Sequence, residues 1–304
     1  MKKDSEKKSD IKQDTISLKL PTWHLDSIKN KQGVVTVVGG SEQCYYSPIL
    51  TILGAEVGGA DSINAFIPSI HFEAAKRYSL NIALNSLYYD TISINDVRSI
   101  HHSLSGSNLL VLSNSGPQSI DMQRGILSLL AKINIPVVID GGAAFPGLFS
   151  SQHYNRNDWI VVLNREEFEV LFRLNANQEN ASKISKAYGC LICIKGMIDY
   201  IAHYDDVYAN RTGAPHMRVQ GTGDLLLGII AAYRSMNLDA FDAVQSATFL
   251  YGRCAEFLLT SQCSVTAYDI AKDYRSIVSH VIMQYKHDME EVLKRNDENN
   301  SVYN

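Results

Sequence analysis

Hydrophobic residues in this chain fall into short, largely β-branched runs, with longer stretches of helical spacing between most of them. The run "GVVTVVGG" (33–40) is apolar almost throughout and closes on two glycines, which predicts a buried strand. The same pattern predicts strands in "DSINAFIP" (61–68), "SNLLVLSNSG" (107–116), "IPVVIDGG" (135–142), "DWIVVLN" (158–164) and "GCLICIKG" (189–196). Helices are predicted in "SPILTILGAEVGGA" (47–60), "IDMQRGILSLLAKIN" (120–134), "REEFEVLFRL" (165–174), the apolar run after Gly223, and "AFDAVQSATFLYGRCAEFLL" (240–259). "DYIAHYDDVYAN" (199–210) has the alternation of a hairpin. Strands apolar on both faces, alternating with helices, predict an α/β fold whose mostly parallel central sheet is covered by helices on both sides. No repeat or linker interrupts the pattern, so 16–282 is expected to be one domain. A polar, disordered tail is expected over 1–15, and a charged helix fraying into a tail over 283–304.

Composition narrows the classes without naming one. Hydrophobic residues at 45% and charged residues at 20% describe an ordinary soluble globule. A net charge of −4, with no Lys/Arg stripe interleaved with aromatics, argues against a nucleic-acid partner. No apolar run approaches the ~20 residues of a membrane span, and "MKKDSEKKSDIKQDT" has no apolar core of a signal peptide. Five cysteines without scaffold spacing suit a reducing cytosol. Cys190 and Cys193 form a C-x-x-C inside a predicted strand, and no second ligand pair follows, so core packing is expected rather than zinc. The nine histidines show no ligand spacing.

The chemistry concentrates in Gly221-Thr222-Gly223-Asp224, immediately before a buried helix. Glycine there can simply permit a turn, and an acid in the first turn complements the helix dipole. Alternatively, two glycines leave backbone N–H groups bare at a helix N-terminus, which makes an anion site for a phosphate. Asp224 would then be placed to take a proton from an attacking hydroxyl. In open parallel sheets ligands bind beyond the carboxyl ends of the strands. Gly39-Gly40-Ser41, Asp140, Asn164 and Lys195 all fall at such ends, and that convergence favours the second alternative.

With these motifs in place, the chain resembles the ribokinase-like superfamily, and within it the NAD(P)H-hydrate dehydratases, also called carbohydrate kinases. The resemblance runs from about Gly33 to Ala271. It is carried by "N-x-T-G-x-P" leading to "GTGDLLLGIIAA", together with "VVGGSEQCYYSPIL", "GGADSINAF", "VVIDGG", "LNREEFEVL" and "IKGMIDYIA". It implies a three-layer α/β/α ribokinase-like fold. Residue by residue, it implies Asp224 as catalytic base, and Gly221, Thr222 and Gly223 as the anion hole over the transferred phosphoryl group. Lys195 and Gly196 match the pair near the nucleotide phosphates. Asn164 and Glu167 match an Asn-x-x-Glu element that organises Mg²⁺ and phosphate, Glu167 acting through water. Gly39, Gly40, Ser41, Tyr45 and Asp140 fall on the side of the hydrated nicotinamide. As a surface strand-end residue, Lys195 should be removable within about ±0.5 kcal/mol of stability.

The implied activity is dehydration of NADH or NADPH hydrate with ADP or ATP as phosphoryl donor, in a cytoplasmic and commonly homo-oligomeric enzyme. The Asn-x-x-Glu and "GGADSINAF" strings look like the eukaryotic, ATP-using branch, and the donor stays open. Three stretches depart from the family. Tyr-Thr-Gly-Ala-Pro is replaced by Cys44-Tyr45-Tyr46-Ser47-Pro48, and Asp-Ala-Asp by Asp140-Gly141-Gly142. The Gly-x-Gly turn after the 107–116 strand keeps only Gly116 of Ser113–Gly116. All three lie towards the substrate, which leaves room for a changed substrate, as in a kinase for a sugar, vitamin or nucleoside. A non-catalytic nucleotide-binding paralogue is a further alternative, against which the intact Asp224 argues.

Overall fold

The computed structural model describes residues 18–21, 33–113, 118–150 and 154–302. The tail over 1–15 and the turn at 114–117, including Gly116, lie outside these. One nine-stranded sheet organises the rest, in the order β3-β2-β1-β4-β5-β6-β7-β8-β9. The strands are β1 (Val34–Gly39), β2 (Ser62–Ile67), β3 (Ile82–Ser86), β4 (Leu109–Ser113), β5 (Val137–Asp140), β6 (Trp159–Asn164), β7 (Leu191–Lys195), β8 (Asp199–His203) and β9 (Asp206–Asn210). β1 to β7 pair in parallel, and β8 and β9 form the antiparallel hairpin at one edge.

Period-two alternation divides each central strand between two cores. Val35, Val37, Leu109, Val111, Val138, Ile160, Val162 and Cys193 face one layer. This is formed by α1 (Tyr46–Val57), α2 (Phe72–Tyr78), α8 (Thr222–Ser235), α9 (Ala240–Leu258) and α10 (Ala267–Val302). Val38, Leu110, Leu112, Ile139, Val161, Leu163 and Ile192 face the other. There lie α3 (Val97–Ser103), α4 (Ile120–Leu130), α5 (Gly147–Ser150), α6 (Arg165–Phe172) and α7 (Gln178–Tyr188). The three-layer α/β/α architecture expected from the pattern is therefore present. Cys193 in β7 and Cys190 just before it are fully buried, and burial pushes the Cys190 thiol up to about 12.

The pattern missed β3, α2, α3, α7 and the four-residue α5. The first three are short, and β3 is a partly exposed edge strand, so each carries few apolar positions. The C-terminal helix also differs from expectation: it begins at Ala267 and runs unbroken past 283. No glycine or proline lies between Ala267 and Val302 to stop it.

One helix contact fixes the position of the chemistry. α1 and α8 cross backbone to backbone, because Gly54 lies against the Leu225 carbonyl and Gly228 against the Thr51 carbonyl, where a Cβ would overlap. The first turns of the two helices thereby meet at the carboxyl end of β4.

Candidate active site

The strand register brings the expected residues to one edge. Asn164 and Lys195 are paired across β6 and β7, and Gly39 and Ser113 across β1 and β4, while Asp140 ends β5. Above this edge sits the N-terminus of α8. Gly221 has φ +91°, a left-handed conformation that favours glycine. It offers no side-chain cap, as at α1, α2 and α3 and unlike α4, α6, α7 and α9, which are capped by Ser119, Asn164, Asn177 and Asp239. The first-turn N–H groups have no intrahelical acceptor. Thr222 N–H makes a long 3.5 Å contact with the Val219 carbonyl, Asp224 N–H bonds its own carboxylate, and among the described residues Gly223 N–H is the one presented to a ligand. Lys195 faces this turn closely enough that a Cβ on Gly223 would lie 2.7 Å from its Nζ.

Lys195 is not a surface side chain. Only 19% of it is exposed, and its Nζ stands 4.0 Å from Asp140 Oδ1. Burial opposes its charge, but the fields of Asp140, Glu167 and Asp224 outweigh burial and leave Lys195 above its ordinary value. This contradicts the surface placement on which near-neutral removal was expected, because the lysine offsets three acids in a partly desolvated site. Asp140 is pushed up to about 7, first by burial and then by the neighbouring acids, with Lys195 pulling the other way. Burial also raises Asp224, opposed by a hydrogen bond from Ser47 and by Lys195.

Each remaining expected residue has a defined place. Asn164 and Glu167 form a reciprocal capping box on α6: Glu167 N–H donates to Asn164 Oδ1 at 2.8 Å, and Asn164 N–H to Glu167 Oε2 at 2.7 Å. The Thr222 hydroxyl turns back into its own loop, donating to the Met217 and Val219 carbonyls at 2.9 Å, so its contribution to an anion hole is through backbone alone. Gly40 N–H donates to the Ser113 carbonyl at 3.1 Å and ties the first loop to β4. The Ser41 hydroxyl is used within that loop, accepting from Cys44 N–H at 3.2 Å. Tyr45 is not brought to the acid cluster; it is 49% exposed and packs on the buried His71, whose Nε2 lies 2.8 Å from the Ser41 carbonyl.

Sequence reasoning missed several supports. Gly196 N–H donates to Asp199 Oδ1 at 3.0 Å, and Asn210 Nδ2 to Asp199 Oδ2 at 2.9 Å. The turn after Lys195 is thus clamped to the far end of the β8–β9 hairpin, and burial raises Asp199. Asn210 also accepts from the Thr212 hydroxyl at 2.9 Å, and Gly213 N–H donates to Glu256 at 2.8 Å. The N-x-T-G string was a signal for this clamp; Asp199, three residues after Gly196, was readable as its partner only once the hairpin was known.

The open sheet, with a helix N-terminus, an acid and a largely buried lysine at its strand ends, has the ribokinase-like fold. A ribokinase-like superfamily protein from Enterococcus faecalis has this fold, with a TM-score of 0.75 at 18% identity over 86% of this chain and 92% of that one. The ADP/ATP-dependent NAD(P)H-hydrate dehydratase from Bacillus subtilis, co-crystallized with ATP/Mg²⁺, shares it with a TM-score of 0.70 at 21% identity, over 88% of this chain and 94% of that one. Sequence narrows the class further. The NAD(P)H-hydrate dehydratase family profile matches residues 35–275, and the chain belongs to that family. The bifunctional NAD(P)H-hydrate repair enzyme Nnr of Hyperthermus butylicus is 28% identical over 256 residues, 80% of this chain and 48% of the relative. The chain spans about half the length of the bifunctional relatives it matches. Among the described residues, no helix is long and apolar enough to cross a membrane.

Proposed function

We propose that the chain catalyses nucleotide-dependent dehydration of hydrated NADH or NADPH. The observation that carries this reading is the uncapped N-terminus of α8, flanked by Asp224 and faced by Lys195. Hydroxide is a poor leaving group from the hydrated nicotinamide ring. Transfer of a phosphoryl group to that hydroxyl makes a good one, and elimination of phosphate then restores the dihydropyridine. Asp224 accepts the hydroxyl's proton. The N–H groups of the Gly221–Gly223 turn receive the charge that develops on the transferred group, and Lys195 holds the nucleotide phosphates. ADP and ATP are both candidate donors.

Magnesium fits this site in a limited way. Three acids surround one lysine, so the pocket has anionic charge to spare for a cation. Among the described residues, no group of three His, Cys, Asp or Glu forms a protein cage. That suits an ion held mainly by phosphates and water, with Glu167 reached through water. When bound, it would neutralise charge on the phosphates.

A second reading keeps the same apparatus and ends at the phosphorylated product, as a small-molecule kinase does. The departures at Tyr46, Gly142 and Ser113–Gly116 favour it, since all three lie on the substrate side. One assay decides between them. The protein is incubated with NADPH hydrate, Mg²⁺ and either ADP or ATP, and the absorbance of restored dihydronicotinamide is followed. Recovery that needs nucleotide supports dehydration; nucleotide-binding protein that restores none overturns it in favour of the kinase reading or a non-catalytic paralogue.

A further inference from the structure

We propose that Ser47 is a positioning residue for Asp224: its hydroxyl fixes the rotation of the carboxylate and leaves the second oxygen to take the proton. The inference deepens the reading above and rests on Asp224 acting as the base. Ser47 Oγ donates to Asp224 Oδ1 at 2.6 Å, and Oδ2 carries no side-chain hydrogen bond among the described residues. Ser47 does not act alone. Ser113 Oγ lies 3.0 Å from Ser47 Oγ, and Thr51 Oγ1 lies 3.1 Å from Ser113 Oγ. Thr51 also reaches the Ser47 carbonyl at 2.9 Å, and all three hydroxyl residues are fully buried.

Counting protons gives this cluster a direction. An ionised carboxylate can only accept, so the single Ser47 hydrogen is committed to Asp224. Ser113 must then donate to Ser47, while the single Thr51 hydrogen is shared between the Ser47 carbonyl and Ser113. The Ser113 and Ser47 hydroxyl dipoles therefore point towards Asp224, and bonds in such a row strengthen one another in a low-dielectric interior. The row occupies the seam between α1 and β4 that the glycine crossing of α1 and α8 brings under the acid. Ser47 stands where the family's Tyr-Thr-Gly-Ala-Pro stretch has alanine, so the row is a feature of this chain's altered half.

The other groups facing Asp224 are accounted for. Lys195 on β7 favours its charged form. Asp140 on β5 and Tyr251 on α9 interact with it electrostatically, and Glu167 on α6 acts on the same lysine. None of these side chains is hydrogen-bonded to Asp224; besides the acid's own backbone N–H, Ser47 is the group that holds its rotation among the described residues.

The test uses the full chain as wild type, Ser47→Ala, Ser47→Thr and Ser113→Ala. Carboxyl-carbon NMR titration without nucleotide follows Asp224, identified by the signal lost in Asp224→Asn. Ser47→Ala should move its titration up by about one pH unit, a tenfold rise in proton affinity. Ser113→Ala should move it less in the same direction, and Ser47→Thr should leave it near wild type. In the hydrate assay, Ser47→Ala should lower kcat on the order of tenfold, with nucleotide KM unchanged and the acidic limb of the pH profile raised. An unmoved titration and acidic limb in folded Ser47→Ala would overturn the proposal and leave Ser47 a packing residue. Should Ser47→Ala not fold, the Ser113→Ala titration decides in the same way. If wild type restores no dihydronicotinamide but the titration shifts as stated, the proposed function fails while the hold of Ser47 on Asp224 stands.

Discussion

The two halves of the strand edge have been treated differently. On the side of β6, β7 and α8, the fold gathers the residues proposed to meet a phosphate: Asn164 and Glu167 lock one helix start, Asp199 and Asn210 clamp Gly196, and Lys195 faces the first turn of α8. On the side of β1, β4 and the β5 end, the chain departs from the family's residues: bulkier or polar side chains enter at 46 and 47, and an acid gives way to Gly142. Tyr46 begins α1, Ser47 and Ser113 join a buried hydroxyl row, and the Gly142 carbonyl accepts from Gln118 Nε2. A glycine at 141 lets the Glu167 carboxylate settle where a Cβ would overlap it. The lesson is one of constraint. A phosphate site built from backbone N–H groups tolerates little change, because those groups are set by the chain's path. A pocket built from side chains can be rebuilt one residue at a time.

The largest expected effect tests the acid shared by both halves. Asp224→Asn keeps the shape and should still bind nucleotide, but cannot take the proton. Turnover of NADPH hydrate should fall ~10²–10⁴-fold. If Asp224 merely complemented the α8 dipole, the loss would be only about 0.3–1 kcal/mol of stability with activity near wild type. Steady-state rates and thermal unfolding, measured side by side, separate these outcomes.

Next comes the pH dependence of the shared cluster. Asp140 is raised to about 7, so folding favours its protonated form. Its contribution to stability is then full below its unfolded value near 3.8 and lost as pH rises through about 7. The unfolding free energy of wild type minus that of Asp140→Asn should therefore decline across that window, by roughly 2–4 kcal/mol. Denaturant titrations at a series of pH values check this; a difference that grows with pH reverses the sign and refutes the account of the cluster.

A smaller effect is expected from Lys195→Ala. Removing the offset to three acids should cost on the order of 1–2 kcal/mol at pH 8, and less in acid where Asp140 is already protonated. Nucleotide affinity should fall at least about tenfold, equivalent to ~1.4 kcal/mol. Calorimetric titration with ADP and ATP measures the second quantity. Smallest is Tyr46→Gly, which restores the family's residue on the altered side. It should change KM for the hydrate a few-fold while leaving nucleotide affinity alone, at about 0.5–1 kcal/mol of stability for glycine in a helix. A change in nucleotide affinity instead would break the division into halves.

Much of this was legible in the sequence. The central strands are apolar on both faces, so their runs and glycine endings marked both the sheet and the ends that carry Asp140, Asn164 and Lys195. Asp224 was visible because glycines on either side of a threonine have few other uses before a buried helix. The burial of Lys195 was not legible, since a lysine before a glycine looks like a solvated strand end until the register places three acids around it. Nor was the role of Ser47, whose bond to Asp224 spans 177 positions and depends on the glycine crossing of α1 and α8. The inward turn of the Thr222 hydroxyl depends on the loop at 217–219, which has no sequence pattern of its own.

The central claim is that the half with the bare α8 turn and Lys195 is a working nucleotide site, whatever the rebuilt half now accepts. Its most direct test is isothermal calorimetry of ADP and of ATP, each with Mg²⁺, into wild-type protein shown to be folded by its thermal transition. Saturable binding of at least one nucleotide, weakened in Lys195→Ala and retained in Asp224→Asn, is the expected result. Folded protein that takes up neither would contradict the claim.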